Sequence, residues 1–148
     1  MKSTLGTMTL SLVGISVVMA AALVGVNLLT QDAIARSREE ARRQAVAEVL
    51  PAFDNDPTAN PVSVGDCTIY IATNGGQSVG AAVETYTDEG FSGRFTILAG
   101  FDAKGAVSGY RVLEHSETPG LGARMASWFC EDGTGHNILG LSLSLIHI

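Results

Sequence analysis

The chain has 148 residues, 46% of them apolar, with 17 glycines, four prolines and a net charge of −6, enough for one compact domain and too few for two. Nine basic side chains stand against fifteen acidic ones. The positive footprint that nucleic acid demands is therefore missing, and no nucleic-acid partner is expected. Two cysteines, Cys67 and Cys130, cannot staple a miniature scaffold, and no Cys/His group has the close spacing of a zinc site.

The average charge hides a division. Residues 1–43 carry five basic and three acidic side chains (+2), and residues 44–148 carry four basic and twelve acidic (−8). Ser3 to Gln31 holds no charge, and the run LSLVGISVVMAAALVGVNLL is long enough to cross a hydrocarbon core at about 1.5 Å per residue. Residues 1–31 read as a transmembrane anchor, with residues 5–29 meeting lipid. A cleaved signal peptide is the rival reading, but its apolar region spans about 7–15 residues, and Met19-Ala20-Ala21-Ala22 is followed by more apolar residues. Arg36, Arg38, Arg42 and Arg43 follow the span while Lys2 precedes it, so the arginine count by itself favours a cytoplasmic C-terminal side.

Thr30 to Leu50 reads as a helix, because Ile34, Ala41, Ala45 and Val49 recur on one face with Arg and Glu on the others, and Pro51 ends it. We read this helix as a spacer. Pro51, Pro57 and Pro61 enclose Asp54, Asn55, Asp56 and Asn60 in a turn-rich loop, so residues 32–61 form stalk and linker and the domain begins near Val62. Four antiparallel strands are predicted: Cys67 to Ala72 and Val79 to Tyr86 around the Asn74-Gly75-Gly76 turn, then Arg94 to Phe101 and Ala106 to Glu114 around Asp102 to Gly105. Ala123 to Phe129 suits a short helix whose Met125, Trp128 and Phe129 pack on the sheet. The fold class is α+β: an N-terminal transmembrane helix and helical stalk, then a small antiparallel sheet with a covering helix.

Most of the chemistry lies between the last strand and that helix, in His115, Ser116, Glu117, Thr118, Pro119, Gly120, Leu121 and Gly122. Pro119 presets one φ, Gly120 and Gly122 let the backbone turn and approach a ligand, and the amides that follow open a helix N-terminus that favours an anion such as phosphate. Thr118 adds a hydroxyl, while Glu117 and His115 offer an acceptor and a titratable ring to a polar heterocycle. The same residues also read as a plain strand-to-helix connection, with His115 exposed and Glu117 capping. A dinucleotide fingerprint is excluded, since Met125 stands where a third glycine belongs and no βαβ unit surrounds it. No nucleophile elbow, Walker loop or His-Glu-x-x-His motif occurs, so hydrolase, NTPase and zincin readings have no support.

Gly90-Phe91-Ser92-Gly93, the two strands after it and Glu114-His115-Ser116-Glu117-Thr118-Pro119-Gly120-Leu121-Gly122 resemble the FMN-binding domain of membrane electron-transport complexes. The likeness covers residues 1 to about 140. It is closest to the G subunits of the Rnf ion-translocating complex, with the C subunit of the sodium-translocating NADH:quinone reductase as a near relative. The resemblance implies an FMN-carrying electron-transfer subunit, with no turnover of its own, in the cell inner membrane. It places the domain on the periplasmic side, against the arginine count, and makes the other subunits of the complex its partners. In that compartment Cys67 and Cys130 read either as a disulfide or as two thiols.

The resemblance assigns His115, Glu117, Thr118, Pro119, Gly120, Leu121 and Gly122 to the flavin pocket. It also implies a phosphoester between FMN and a threonine in a Ser/Thr-Gly/Ala-Ala-Thr motif downstream. No such motif occurs in this sequence, and Thr118 is not that acceptor. The last sixteen residues, GTGHNILGLSLSLIHI, lack Asp, Glu, Lys and Arg and depart from what the family continues with. Residues 62–148 are therefore expected to be an FMN-binding domain incomplete at its C-terminus, with weak or absent flavin binding. The structural alternative is a last strand with Leu141, Leu143 and Leu145 on one face. A functional alternative is a membrane-tethered accessory or binding domain without a cofactor.

Overall fold

The computed structural model describes residues 5–133 and 135–142, and the chain divides into two compact units, one up to Glu40 and one from Ala41 onward. Helix α1 runs from Leu5 to Val49. Its first part is apolar and exposed, from Leu5 through Leu29, and is long and apolar enough to cross a membrane. Helix α1 stops just ahead of Pro51, which has no amide hydrogen to continue it.

The second unit is a five-stranded meander of β1 (Val62–Val64), β2 (Cys67–Asn74), β3 (Gln77–Thr87), β4 (Phe95–Asp102) and β5 (Val107–His115), in that spatial order and antiparallel throughout. Sequence alternation locates four of the strands. The fifth, β1, has only three residues, all exposed, and carries no buried face for a pattern to mark. Asn74 pairs with Gln77 across Gly75 and Gly76, whose φ angles of 60° and 79° are those a two-residue hairpin turn of matching twist requires.

The core lies where the end of α1 meets the sheet. Ala45, Val46, Val49 and Leu50 bury against Tyr70, Ala72, Ala82 and Leu98, with Phe53, Val79 and Leu113 around them. The stalk is therefore more than a spacer: its last two turns are half of the core. The sequence reading opens the domain at Val62 because the helical repeat of Ala45 and Val49 shows an apolar face without showing what meets it. The linker is docked as well. Asn55 donates to the Ile71 carbonyl (2.9 Å) and accepts from the Thr73 amide (2.8 Å), and Asp54 accepts from the Gly75 amide (2.8 Å).

The predicted helix from Ala123 to Phe129 is a 3₁₀ turn, Gly122–Arg124, followed by the four-residue α2, Met125–Trp128. One turn is too short to cover a sheet, and α1 does the covering. Phe129 meets Tyr110 of the sheet edge to face at 5.7 Å and Trp128 packs on His136, each side chain remaining about 40% exposed. Partial burial raises the Tyr110 hydroxyl above its ordinary pKa, with Cys130 adding to the effect. Cys67 and Cys130 are free thiols. Leu141 accepts from the Val107 amide (3.0 Å), but Leu143 and Leu145 of the alternative last strand lie outside the described residues.

Candidate functional site

Strand β5 delivers the predicted segment to one end of the sheet. His115 is its last residue, paired with Phe95 and exposed. The chain then turns at Thr118-Pro119-Gly120-Leu121. The Leu121 amide donates to the Thr118 carbonyl at 3.2 Å, and Gly120 takes φ of 82°, a conformation that suits glycine behind proline in this kind of turn. The Thr118 carbonyl accepts a second bond from the Ala123 amide at 3.3 Å, and the Arg124 amide donates to the Leu121 carbonyl at 3.3 Å.

Those bonds change one expectation. The amides of Leu121, Ala123 and Arg124 hold backbone carbonyls, and a single helical turn adds little dipole, so these three amides do not make up the expected anion seat. The capping reading of Glu117 fails too, because neither the 3₁₀ turn nor α2 has a side-chain cap.

Glu117 instead reaches across to the loop between β3 and β4. Its Oε1 accepts from the Ser92 amide at 3.2 Å. A Cβ added to Gly90 would lie 2.8 Å from Oε1, and one added to Gly122 would lie 2.7 Å from Oε2. The carboxylate thus occupies a slot that two glycines keep open. The far loop has its own scaffold: the Gly93 amide closes a turn on the Gly90 carbonyl at 3.2 Å, and Arg94 grips both oxygens of Asp88 at 2.6 and 3.0 Å while stacking on Tyr86. That grip holds the Asp88 carboxyl below its ordinary value and raises the Arg94 guanidinium.

On the two loops that Glu117 joins, Phe91 is 96% exposed and Leu121 is 79% exposed. Such exposure of two large apolar side chains on clasped loops is costly in water and marks a contact surface. Phe91 is absent from the predicted set. Its signal is an aromatic residue between glycines in a loop, where packing requires none. Of the predicted residues, Glu117 and Gly122 pack together, Thr118 serves through its carbonyl, Pro119 and Gly120 form the corner, and Leu121 projects outward. His115 stands apart at the strand end. The segment stays open to solvent, and two exposed apolar side chains suit contact with an aromatic ring, whereas the amides of Leu121, Ala123 and Arg124 are already taken by backbone carbonyls. A separate cavity of about 400 Å³, lined by Ser63, Thr68, Glu84, Tyr86, Arg94 and Glu114 among others, includes none of these residues.

Residues 90–142 match the model of the FMN-binding domain. The chain is 38% identical over 117 residues to the G subunit of the ion-translocating oxidoreductase complex of Yersinia pestis, covering 70% of this chain and 56% of that protein. It is 32% identical over 134 residues to the protein of the same name from Shewanella loihica (80% and 63%) and 36% identical over 121 residues to that of Pseudomonas aeruginosa (70% and 56%). The aligned part therefore spans less than two thirds of each of these relatives. The chain is a homologue of the G subunits of ion-translocating oxidoreductase complexes and carries an FMN-binding domain.

Proposed function

We propose that this chain is an FMN-carrying electron-transfer subunit of a membrane-bound ion-translocating oxidoreductase complex, anchored by the apolar part of α1. The observation that carries this reading is the exposed pair Phe91 and Leu121 on two loops joined through Glu117, inside the matched FMN-binding domain. When bound, FMN supplies one- and two-electron transfer, and the protein's part is placement and tuning. Phe91 and Leu121 would give the flavin ring apolar contacts, and Glu117 would keep their two loops joined. Relatives named as subunits of a complex support the other subunits as partners.

The covalent threonine link that the resemblance implies has no matching motif here. The residues of this chain would supply the non-covalent part of the flavin's hold. The detergent-solubilised chain is titrated into FMN and the loss of flavin fluorescence followed. Weak, saturable quenching is expected, reduced at least tenfold in affinity by Phe91→Ala with Leu121→Ala. The absence of any saturable quenching into the millimolar range removes Phe91 and Leu121 as flavin contacts.

The occupied turn amides support a second reading, a tethered accessory module that binds partner subunits without a cofactor. A colourless folded chain that still captures those subunits is its signature. We place the domain outside the cytoplasm, following the resemblance over the arginine count. Alkaline phosphatase fused behind residue 142 is then expected to be active, and an inactive fusion beside an active cytoplasmic reporter reverses the orientation.

A further inference from the structure

We propose that Glu117 is a positioning residue of this site: its carboxylate is the clasp that holds the loop bearing Phe91 to the loop bearing Leu121. The inference rests on the flavin reading above and deepens it. Three contacts carry it. Oε1 accepts from Ser92 on the far loop, the same oxygen fills the space beside Gly90, and Oε2 with Cβ fills the space beside Gly122. Neighbours of all three points bear on the site, because Phe91 lies between Gly90 and Ser92, and Leu121 precedes Gly122.

Apolar burial does not hold these loops together, since their two large apolar side chains project into solvent. A hydrogen bond to a charged acceptor is stronger than a neutral one and directional, so it can hold the loops where packing does not. Gly122 is the complementary half of the device, since a side chain there would displace Glu117, whereas one at Gly90 would meet the Gly93 carbonyl before Oε1.

Three variants separate these effects. Glu117→Gln keeps the shape and an acceptor oxygen but removes the charge, Glu117→Asp keeps the charge but shortens the reach, and Glu117→Ala removes both. Amide hydrogen exchange is measured first on the detergent-solubilised full chain without flavin. Glu117→Ala is expected to speed exchange at Ser92 about tenfold, the loss of roughly one such bond, and to loosen residues 119–124 as well. Glu117→Gln, which keeps a weaker neutral acceptor, is expected to speed exchange less than Glu117→Asp, which loses the reach, and both less than Glu117→Ala. Unchanged exchange in Glu117→Ala, or loosening confined to its own loop, overturns the clasp. Should Glu117→Ala unfold, the order of the Gln and Asp variants decides the same point.

FMN titration follows. Glu117→Ala is expected to weaken FMN binding while Glu117→Gln retains most of it, and equal affinities for Glu117→Ala and wild type overturn the link between the clasp and the flavin. A wild-type chain that binds no FMN removes Phe91 and Leu121 as flavin contacts by itself, and the exchange data still judge the clasp.

Discussion

Gly100 and Gly109 pair directly across β4 and β5, and the end of α1 sits on that pair. A Cβ on Gly109 would lie 2.5 Å from Val49 Cα and 2.8 Å from Val49 Cβ, and one on Gly100 would run into the Val49 carbonyl. The helix is thus seated on bare backbone, and the Ser108 hydroxyl donates to the Val49 carbonyl at 2.5 Å, satisfying one of the acceptors that a helix end leaves over. Gly109→Ala should push Val49 off the sheet and destabilise the domain by about 1–3 kcal/mol, as overpacking does. Thermal unfolding checks this, and a melting temperature equal to wild type would show that the helix seat is slack.

At the scale of elements, two charged devices fix the strands and the helix end. Arg42 places its guanidinium on Glu84 (3.0 and 3.4 Å), the Tyr70 hydroxyl donates to the same carboxylate at 2.6 Å, and Arg111 pairs with Glu48 at 2.9 Å, so α1 is tied to β2, β3 and β5. The β4–β5 turn is organised by Asp102, whose Oδ1 accepts from the Ala106 amide (2.9 Å) and the Lys104 amide (2.8 Å). Those bonds, the one from Ala106 foremost, hold the Asp102 carboxyl below its ordinary value of 3.8. Asp88 is lowered by Arg94, and Asp56 chiefly by the Thr58 hydroxyl. A carboxyl with a depressed folded pKa binds fewer protons folded than unfolded, so its contribution is complete above the unfolded value and vanishes as pH falls through the folded one. Stability should therefore be level above about pH 5 and decline below about pH 4. Asp102→Ala should flatten part of that decline, and a denaturant midpoint that falls equally in variant and wild type would remove Asp102 as a source.

The whole second unit is a sheet with unequal faces. Tyr70, Ala82 and Leu98 lie under α1, fully or nearly fully buried. Ile69, Val83, Ala99 and Tyr110 are register partners on the opposite face, where Ile71 is 42% exposed and Phe129 with the segment to residue 142 meets β5. Leu98→Ala should cost about 2–5 kcal/mol, the range for a buried leucine. Ile71→Ala should cost under about 1 kcal/mol, because much of that side chain is already in water. Comparable losses for the two substitutions, measured by denaturant titration, would mean that the second face is as tightly packed as the first.

What the sequence determined by itself is what local rules encode. The uncharged run before Gln31 marks an apolar span, Pro51 marks the helix end, and Asn74-Gly75-Gly76 with Asp102 to Gly105 marks the turns of a meander whose alternation places four strands to within two or three residues. The Thr118 to Leu121 corner follows likewise from a proline and a glycine in consecutive positions. Tertiary structure decided the rest, because each remaining feature depends on groups distant in the chain. Val49 needs glycines some fifty and sixty residues on before it becomes core. Glu117 reads as a cap until Ser92, 25 residues earlier, is found at its carboxylate, and Phe91 gains meaning only once that contact sets its loop beside Leu121. A side chain's type is local, but its partner is a matter of which backbones the fold brings within reach.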